Sequence, residues 1–444
     1  MVIEENLVIY RDNKCVLFNL INFKVTEISS NSINLLKEYI DTGIGQGKEL
    51  YTELKRNRQF LTKEEIKKID LCAKIGIKKK LNKRNNSINT IQISFSYNCN
   101  LNCFYCYQKD MHITEKLNFQ DINSIYDFCN LYDNEMGEKC KEKLIVISGG
   151  EPLLNENIEK INYTAKKFIN SQLYIYTNGI NLLRLWDLLP LKNIKGFQFS
   201  LDGNDNIISR NSLDGSSSLY FKDIIGGIHK AIKFGYEVKI NSVITQTDFF
   251  EEAIQLISIL EEEDIITKNN VSINFSSIVD PSTKMGISDD YELINFIEHI
   301  YKFTKYVSKY SNIVLSFFPD IKKLSSILSG KFDLDKLNLG LSCGHNNGIA
   351  LNFTPDGSVY WCSELIKKGG KIGDFKKQNI DIGRIKLINN RNIFVIDKCK
   401  NCLYRYICNT GCSLRIGASG TDWNSEYCGI FSNTYILDNI GKII

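Results

Sequence analysis

Residues 91–106 read IQISFSYNCNLNCFYC, a β-prone run that leads directly into three closely spaced cysteines. The alternation of apolar and polar residues over the first five positions predicts a strand. Cys99, Cys103 and Cys106 then follow in a C-x3-C-x2-C pattern. Thiolates are soft ligands that suit iron–sulfur clusters or zinc, and a closed site needs four of them. Three ligands would leave one metal position open for chemistry.

The strand before these cysteines is the first of six apolar runs that alternate with longer amphipathic segments. The other five runs lie at 143–147, 173–176, 196–200, 238–243 and 271–275. This rhythm predicts βα units and a parallel sheet, so the fold class is α/β. Six units within residues 86–300 predict a partial, TIM-like (β/α)6 barrel. Working loops leave the C-terminal ends of the strands in such barrels, and the three cysteines lie at that end of the first strand.

The composition is that of a large globular chain. With 444 residues, of which 43% are hydrophobic and 24% charged, two or three domains are expected. A net charge of +4 predicts no broad positive surface for nucleic acid. The sequence has no apolar stretch of membrane-spanning length and no signal-peptide pattern at its start. Fourteen cysteines in so large a chain are not a small secreted disulfide scaffold, and tight C-x2-C spacing without an export signal favours metal binding in a reducing cytoplasm, which is the expected location.

The first 85 residues have a pattern of their own. Apolar residues at helical spacing follow three short β-prone runs, which lie at 7–10, 15–18 and 24–28. Thr62 and Glu65 form a capping box ahead of a further amphipathic segment. Three strands and at least two helices predict a winged-helix-like domain over residues 1–85. A domain that only packs against its neighbours is the alternative, because fold analogy does not fix function.

Two motifs resemble those of the radical S-adenosylmethionine (SAM) superfamily. One is the cysteine triad with Tyr105 before its last member, and the other is the GGEP run that comprises Gly149, Gly150, Glu151 and Pro152. The resemblance implies that the three cysteines bind three irons of a 4Fe–4S cluster, whose fourth iron is chelated by SAM. It also implies that Tyr105 lies by the adenine and that the GGEP run receives the methionyl amino group. A zinc loop or three structural thiols is the alternative.

Further residues match positions at which the superfamily contacts SAM. Asn178 follows the third strand, and Ser200 and Asp202 follow the fourth. The resemblance implies contacts of their side chains with the ribose or the carboxylate of SAM, while ordinary turns are equally typical of these residues. Arg210 suits the SAM carboxylate because a guanidinium matches carboxylate geometry, and a surface arginine is the alternative.

A mostly helical segment is expected over roughly residues 291–341, and the domain division sets the bridging region at 301–340. This bridge leads to a cysteine-rich region over 341–444. The cysteines of that region follow the pattern of a SPASM domain, which they resemble at every spacing: Cys343, Cys362, Cys399, Cys402, Cys408, Cys412 and Cys428. The resemblance implies two auxiliary 4Fe–4S clusters, one held by Cys399, Cys402, Cys408 and Cys428 and the other by Cys343, Cys362 and Cys412. Spacing alone does not decide this division. Two zinc sites, with His345 as an eighth ligand, are the alternative.

The whole chain thus resembles the SPASM-domain maturases of ribosomally synthesised peptides (RiPPs). Its N-terminal domain resembles a leader-peptide recognition element, which binds the precursor peptide as an added strand at a sheet edge. The implied function is reductive cleavage of SAM and removal of hydrogen from the precursor peptide, which installs a thioether, carbon–carbon or ether crosslink. The implied cofactors are SAM and three 4Fe–4S clusters, one SAM-binding and two auxiliary. The implied partners are the precursor peptide and a flavodoxin- or ferredoxin-type reductant, with no nucleic acid and no membrane.

Two other functions fit the same motifs. A SPASM-type maturase of a folded protein partner or a small molecule would share every cluster motif and would not need the N-terminal domain. A binding protein whose clusters or zinc ions are structural would bind metal and never cleave SAM. Deletion of residues 1 to 80 separates the first alternative from a peptide maturase.

Overall fold

The structure is a computed structural model that describes residues 2–11, 14–82, 88–106, 108, 111–137, 142–202, 220–244, 249–277, 290–316, 349–363, 366, 370–390 and 392–408. Within these ranges the chain forms two sheets. One has four strands near the N-terminus, and the other has eleven strands and extends through the rest of the described chain. Among the described helices, none combines the length and apolar character needed to cross a membrane.

The N-terminal sheet is antiparallel, with its strands in sequence order. The strands are β1 (Val2–Ile3), β2 (Asn6–Arg11), β3 (Lys14–Asn19) and β4 (Val25–Ser29). The three strands expected from sequence are confirmed. The first strand was not expected, because two residues are too few to produce a periodic pattern.

Three helices follow this sheet: α1 (Ser30–Thr42), α2 (Lys48–Arg56) and α3 (Lys63–Asn82). The capping box ahead of α3 is confirmed, since the Thr62 amide donates to Glu65 Oε2 at 2.8 Å and the Glu65 amide donates to Thr62 Oγ1 at 3.2 Å. One face of the sheet packs with α1 and α2 in a small core that includes Val8 and Leu17. Residues of the other face belong to the main core, so the N-terminal region is joined to the rest of the molecule by apolar packing.

A buried carboxylate, Glu5, ties this sheet to the segment before α3. It accepts hydrogen bonds from the Leu61 amide and from Asn19 Nδ2, the latter at 3.5 Å. Burial raises the pKa of Glu5 above that of an ordinary carboxyl, and the hydrogen bond from Leu61 offsets part of the rise. The folded chain therefore holds this proton to a higher pH than the unfolded chain does.

Stability is expected to fall with rising pH because of this carboxyl. Its contribution is fully present below the unfolded pKa, at about pH 4, and is lost as pH rises through the raised folded pKa. The variant Glu5→Gln has no proton to lose, so its free energy of unfolding should fall less than that of the wild type between about pH 4 and about pH 7. Urea unfolding of both proteins at the two pH values measures the difference. An equal fall in the two proteins contradicts the prediction.

Helix α3 also connects the N-terminal region to the cysteine-rich region. Arg405 Nη2 pairs with Asp70 Oδ1 on α3 at 2.9 Å, and the Tyr406 hydroxyl donates to the same carboxylate. Arg405 Nη1 donates to the carbonyl of Cys402 at 2.8 Å. One buried arginine thus holds the backbone of an expected cluster ligand against a helix of the N-terminal region.

The large sheet begins with seven parallel strands that neighbour one another in sequence order. They are β5 (Ile88–Ser94), β6 (Leu144–Ser148), β7 (Gln172–Thr177), β8 (Ile194–Ser200), β9 (Glu237–Ile244), β10 (Val271–Ser277) and β11 (Ile313–Ser316). The helices that accompany them are α4 (Phe119–Glu135), α5 (Ile158–Lys167), α6 (Leu182–Leu185), α7 (Tyr220–Lys233), α8 (Phe250–Glu262) and α9 (Asp290–Val307). All six strands expected from sequence are confirmed, and with them the α/β class.

Strand β11 was not expected within the segment predicted to be a mostly helical bridge, of which residues 317–341 lie outside the described residues. Helix α9 occupies the first part of that segment, but residues 313–316 pair in parallel with β10, so that Ile313 lies opposite Ile273. Four residues are too short for a strand pattern to stand out. The expected domain division at residue 300 falls inside α9.

The cysteine-rich region continues the same sheet. Strand β12 (Ile349–Phe353) runs parallel to β5, and β13 (Ser358–Tyr360), β14 (Lys371–Asp374) and β15 (Asn379–Ile380) follow in antiparallel order. Three short helices complete the described part: α10 (Ile382–Asn390), α11 (Asp397–Lys400) and α12 (Arg405–Cys408). The strand that enters the cysteine triad therefore lies between β6 and a strand of the C-terminal region.

The two faces of the parallel strands differ in chemistry. One face is apolar and fully buried in the core with the helices, and it includes Ile91, Ile93, Ile145, Ile147, Ile175, Phe197, Phe199, Ile240 and Ile273. The other, here named the polar face, carries Gln92, Ser94, Ser148, Tyr174, Tyr176, Gln198, Ser200, Lys239, Asn241 and Asn274. Parallel strands are usually apolar on both faces. A polar face on such a sheet indicates that its residues serve a functional requirement rather than core packing.

Candidate functional site

The loop that carries the cysteine triad lies against the GGEP loop. The cysteine loop leaves the end of β5, and the GGEP loop leaves the end of the neighbouring β6. The amide of Gly150 donates to the carbonyl of Ser96 at 3.0 Å, and the amide of Glu151 donates to that of Asn98 at 2.8 Å. The two loops are thus hydrogen-bonded to each other immediately before Cys99.

Both glycines of the GGEP run are required by this contact. Gly149 has a φ of 123°, which side chains rarely adopt, and a Cβ there would lie 2.5 Å from the carbonyl oxygen of Ser96. A Cβ on Gly150 would lie 1.9 Å from the carbonyl oxygen of Asn98. The resemblance implied that the run with these glycines receives the methionyl amino group of SAM. In the structure they admit the backbone of the cysteine loop.

Glu151 is a buried carboxylate that fixes the ends of two strands. Its side chain is 2% exposed, and Pro152 is buried beside it. Its Oε1 accepts hydrogen bonds from the Leu153 amide at 2.8 Å and the Thr177 hydroxyl at 2.6 Å, and its Oε2 accepts one from the Asn178 amide at 2.8 Å. These bonds hold the GGEP loop against the end of β7. A contact of the run with the amino group of SAM stays a prediction.

Asn178 extends this network to the cysteine loop. Its Nδ2 donates to Asn100 Oδ1 at 2.8 Å, and its Oδ1 accepts from the Ile180 amide at 3.1 Å. Asn100 lies between Cys99 and Cys103, so the loops after β5, β6 and β7 form one hydrogen-bonded unit. The sequence placed Asn178 near SAM, and the structure places it beside the cysteines.

The triad itself has the chemistry of a cluster site. The amide of Cys106 donates to the carbonyl of Cys103 at 3.2 Å in a tight turn, and the Leu101 amide donates to Cys99 Sγ at 3.4 Å. Burial raises the pKa of Cys99 to about 12, and the nearby charge of Glu151 adds to the rise. A thiolate there needs a bound cation to compensate its charge, and iron supplies one.

The spacing of the three cysteines is also compatible with a cluster of several irons. No three His, Cys, Asp or Glu side chains in the described ranges converge on a position for a single metal ion. A zinc ion requires all its thiolates at about 2.3 Å from one point, whereas each cysteine of a 4Fe–4S cluster binds a different iron. The donor set, with three thiols on one loop, fits a cluster that keeps one iron for another ligand.

Tyr105 and Asp202 contact each other across the site. The Tyr105 hydroxyl donates to Asp202 Oδ2, and Asp202 Oδ1 accepts from the Val243 amide at 2.8 Å. Ser200 is half-buried at the end of β8 and pairs with Asn241 of β9. The structure therefore brings Tyr105 and Asp202 together with the triad. Arg210 lies outside the described residues.

The described C-terminal cysteines lie in two places. Cys362 follows β13, while Cys399 and Cys402 form a tight turn in which the Cys402 amide donates to the Cys399 carbonyl at 3.2 Å. This turn has the same hydrogen bond as the one between Cys103 and Cys106. Cys408 ends α12, with its side chain outside the described part. Cys343, Cys412 and Cys428 also lie outside it.

Sequence reasoning missed three residues that hold the site together. Asn98 and Asn100 anchor the cysteine loop to Glu156 and Asn178, with Asn98 Nδ2 donating to Glu156 Oε1 at 3.0 Å. Thr177 holds Glu151. An asparagine or threonine in a loop gives no sequence signal of its partner. A depression of about 560 Å³ beside the triad is lined by Asn98, Cys99, Leu154, Asn155 and Glu156.

Comparison with protein families identifies the central part of the chain. Residues 93–260 match the radical SAM superfamily. This central part of the chain is therefore similar to the radical SAM domain of that superfamily. Members of the superfamily use SAM and a 4Fe–4S cluster.

The similar curated proteins match through part of the chain. A probable GTP 3',8-cyclase of Methanococcus aeolicus is 32% identical over 170 residues, which cover 36% of this chain and 52% of the relative. A GTP 3',8-cyclase of Staphylococcus epidermidis is 25% identical over 239 residues, which cover 52% of this chain and 67% of the relative. The chain thus spans about half the length of the first of these, and 26% of bovine molybdenum cofactor biosynthesis protein 1.

Similar solved structures extend further along the chain. Native anSMEcpe with bound AdoMet (SAM) has a TM-score of 0.54 at 18% identity and covers 80% of this chain and 97% of its own. Streptococcus suis SuiB bound to precursor peptide SuiA has a TM-score of 0.53 at 15% identity and covers 94% of this chain and 96% of its own. At these identities the likeness is one of fold.

Proposed function

We propose that this chain is a radical SAM maturase that installs a crosslink in a ribosomally made precursor peptide. The observation that carries the proposal is the extent of the likeness to the SuiB–SuiA complex, which covers 94% of this chain. A span of that length extends beyond the family match at residues 93–260 on both sides. A peptide maturase accounts for the N-terminal and C-terminal regions as well as for the radical SAM domain.

The site residues divide into ligands and positioning groups. Cys99, Cys103 and Cys106 would hold the cluster, and a reduced cluster with SAM bound supplies a group able to remove hydrogen from an unactivated carbon. Glu151 and Asn178 hold the three loops in register through their hydrogen bonds. The backbone of Gly149 and Gly150, with Pro152, forms the wall that would face the methionyl group.

The remaining predicted SAM contacts are Tyr105, Ser200, Asp202 and Arg210. Tyr105 and Asp202 bond to each other in the structure, so SAM would meet them as a pair. Ser200 lies on the polar face two residues before Asp202. Arg210 would pair with the SAM carboxylate, since a guanidinium matches that geometry.

The C-terminal cysteines would hold two auxiliary 4Fe–4S clusters. We assign Cys399, Cys402, Cys408 and Cys428 to one and Cys343, Cys362 and Cys412 to the other. These clusters would carry the surplus electron away from the substrate, and a flavodoxin- or ferredoxin-type protein would supply the first electron. The turn from Cys399 to Cys402, with the same hydrogen bond as in the triad, supports a cluster there.

The N-terminal sheet offers a place for the leader part of the precursor. Strand β4 is the last strand of that sheet, and its residues alternate between exposed and half-buried. Val25 at its start is 51% exposed. An extended peptide can add to such an edge through main-chain hydrogen bonds, which tolerate varied sequences.

Anaerobic turnover tests this function. The reconstituted protein with dithionite and SAM is expected to release 5′-deoxyadenosine, and the triple variant Cys99→Ala, Cys103→Ala, Cys106→Ala is the control that should not. A precursor peptide encoded beside the gene is then expected to lose two hydrogens in mass. A reconstituted, reduced wild type that releases no 5′-deoxyadenosine overturns the proposal.

Cyclisation of GTP is the second candidate. It is favoured by the 32% identity to the Methanococcus aeolicus protein over 170 residues. Incubation of the same reconstituted protein with GTP separates the two functions. A new cyclised nucleotide, with no change in any peptide, assigns the chain to the second function.

A further inference from the structure

The polar face of the large sheet carries one cation, Lys239, that has no charged partner among the described residues. Lys239 lies in β9, paired with Gln198 of β8 on one side and Ser272 of β10 on the other. In the part of the chain that the structure describes, its ammonium has no hydrogen-bond acceptor and no carboxylate within ion-pair distance. Glu237, on the same face of the same strand, pairs instead with Lys195 at 3.3 Å.

This arrangement is costly for a free protein. Lys239 is half-buried, and burial lowers the pKa of its ammonium. A desolvated charge without a partner raises the free energy of the folded state, and such groups concentrate at functional sites. The simple alternative is a lysine whose stem covers apolar surface while its ammonium reaches water. That alternative predicts no response to any ligand.

The register of the strands places Lys239 level with the start of the candidate active site. Ser94 pairs with Ser148, and Tyr176 pairs with Gln198, which in turn pairs with Lys239. Ser94 and Ser148 are the last residues of β5 and β6, from which the cysteine and GGEP loops depart. At about 4.8 Å per strand, Lys239 lies about 10 Å along the sheet from Tyr176. A molecule lying on the polar face below the two loops would reach it.

We propose that Lys239 binds a carboxylate of the substrate, namely an acidic side chain near the residue that the enzyme modifies. This inference rests on the proposed peptide substrate. The described groups assigned to SAM lie at the end of β8 or on the loops after β5 to β8, and Arg210 is the expected partner of the SAM carboxylate. Lys239 is therefore left for a second molecule. Among the paired, described residues of the polar face on β5 to β10, it is the one cation.

The number of charges also bears on the class of ligand. A single ammonium matches a single carboxylate, which an aspartate or glutamate of a peptide provides. A triphosphate carries several negative charges and is normally bound by several cations and backbone amides together. The polar face therefore suits an acidic peptide better than it suits GTP.

Lysine methyl signals provide a test that does not need turnover. The lysines of the full, reconstituted chain are reductively methylated with ¹³C, which keeps their charge, and the Lys239 signal is identified by its absence in Lys239→Gln. The probes are N-acetyl-Gly-Glu-Gly-amide, its matched neutral form N-acetyl-Gly-Gln-Gly-amide, SAM and GTP. Lys195, which already has a partner, serves as the internal control signal.

The expected result is a saturable shift of the Lys239 signal with the glutamate peptide only, while the Lys195 signal stays constant. The affinity for this peptide should fall by about tenfold or more in Lys239→Gln, because a charge-assisted hydrogen bond is lost. Lys239→Arg should retain it. A shift with SAM assigns the contact to the cofactor carboxylate and overturns the proposal, as does an equal response, or no response, to both peptides. A shift with GTP alone overturns it as well. Failure of SAM cleavage with an intact glutamate response would instead count against the proposed function.

Discussion

Replacing Gly150 with alanine is expected to displace the Cys99 loop and to weaken its binding of the proposed cluster. SAM cleavage should fall by about a hundredfold or more, the cost of a displacement of about 1 Å at a reacting centre. The added Cβ would lie 1.9 Å from the carbonyl oxygen and 2.4 Å from the carbonyl carbon of Asn98. Both are backbone atoms, so no side chain can turn aside to make room. The two loops would separate and lose the hydrogen bonds from Gly150 to Ser96 and from Glu151 to Asn98.

Iron and sulfide content after anaerobic reconstitution, together with 5′-deoxyadenosine release, measures this effect. Gly76→Ala is the matched control, because a Cβ on Gly76 meets nothing within 4 Å and α3 is an ordinary helix there. Alanine in a helix is expected to leave stability unchanged or slightly raised. If Gly150→Ala binds iron and cleaves SAM as the wild type does, the contact between the loops is not needed for the cluster.

The position of the site was predictable from sequence, while the role of each residue was not. Six strands were predicted because each has enough residues to reveal its apolar alternation. The cysteine triad and the GGEP run were placed correctly at the ends of β5 and β6 for the same reason. The Glu151 carboxylate accepts hydrogen bonds from three protein groups that the sequence did not indicate, and its contact with the amino group of SAM stays a prediction. The local sequence shows that a carboxylate is present, but it does not show which hydrogen-bond donors the fold brings to that carboxylate.

Pairing between distant segments was the other feature that sequence did not reveal. Strand β12 lies parallel to β5, although more than 250 residues separate them in the chain. Arg405 meets Asp70 in the same way, across most of the sequence. Short strands such as β11 and β15 add little local pattern, so their existence depends on neighbours that only the fold supplies. The C-terminal region thus supports the site through contacts that no sequence motif predicts.

Replacement of Asp133 by asparagine is expected to lower the free energy of unfolding by about 3–5 kcal/mol, the usual cost of breaking a buried ion pair by removing one charge. Asp133 Oδ2 and Lys143 Nζ are 2.7 Å apart, and their side chains are 1% and 3% exposed. The pair also holds the first residue of β5, since the Ile88 amide donates to Asp133 Oδ1 at 3.2 Å and Lys143 Nζ donates to the Ile88 carbonyl at 3.3 Å. Asparagine preserves the shape and leaves the Lys143 charge buried without its partner.

An exposed ion pair supplies the comparison for this variant. Glu298 and Lys302 on α9 are 2.7 Å apart with side chains 39% and 52% exposed, and Glu298→Gln should cost less than about 1 kcal/mol. Urea unfolding followed by circular dichroism measures both variants against the wild type. Because β5 leads directly to Cys99, the loss in Asp133→Asn should be accompanied by faster hydrogen exchange at the start of that strand, a change that Glu298→Gln should not cause. Equal losses of stability in the two variants would mean that the buried pair contributes no more than a surface pair does.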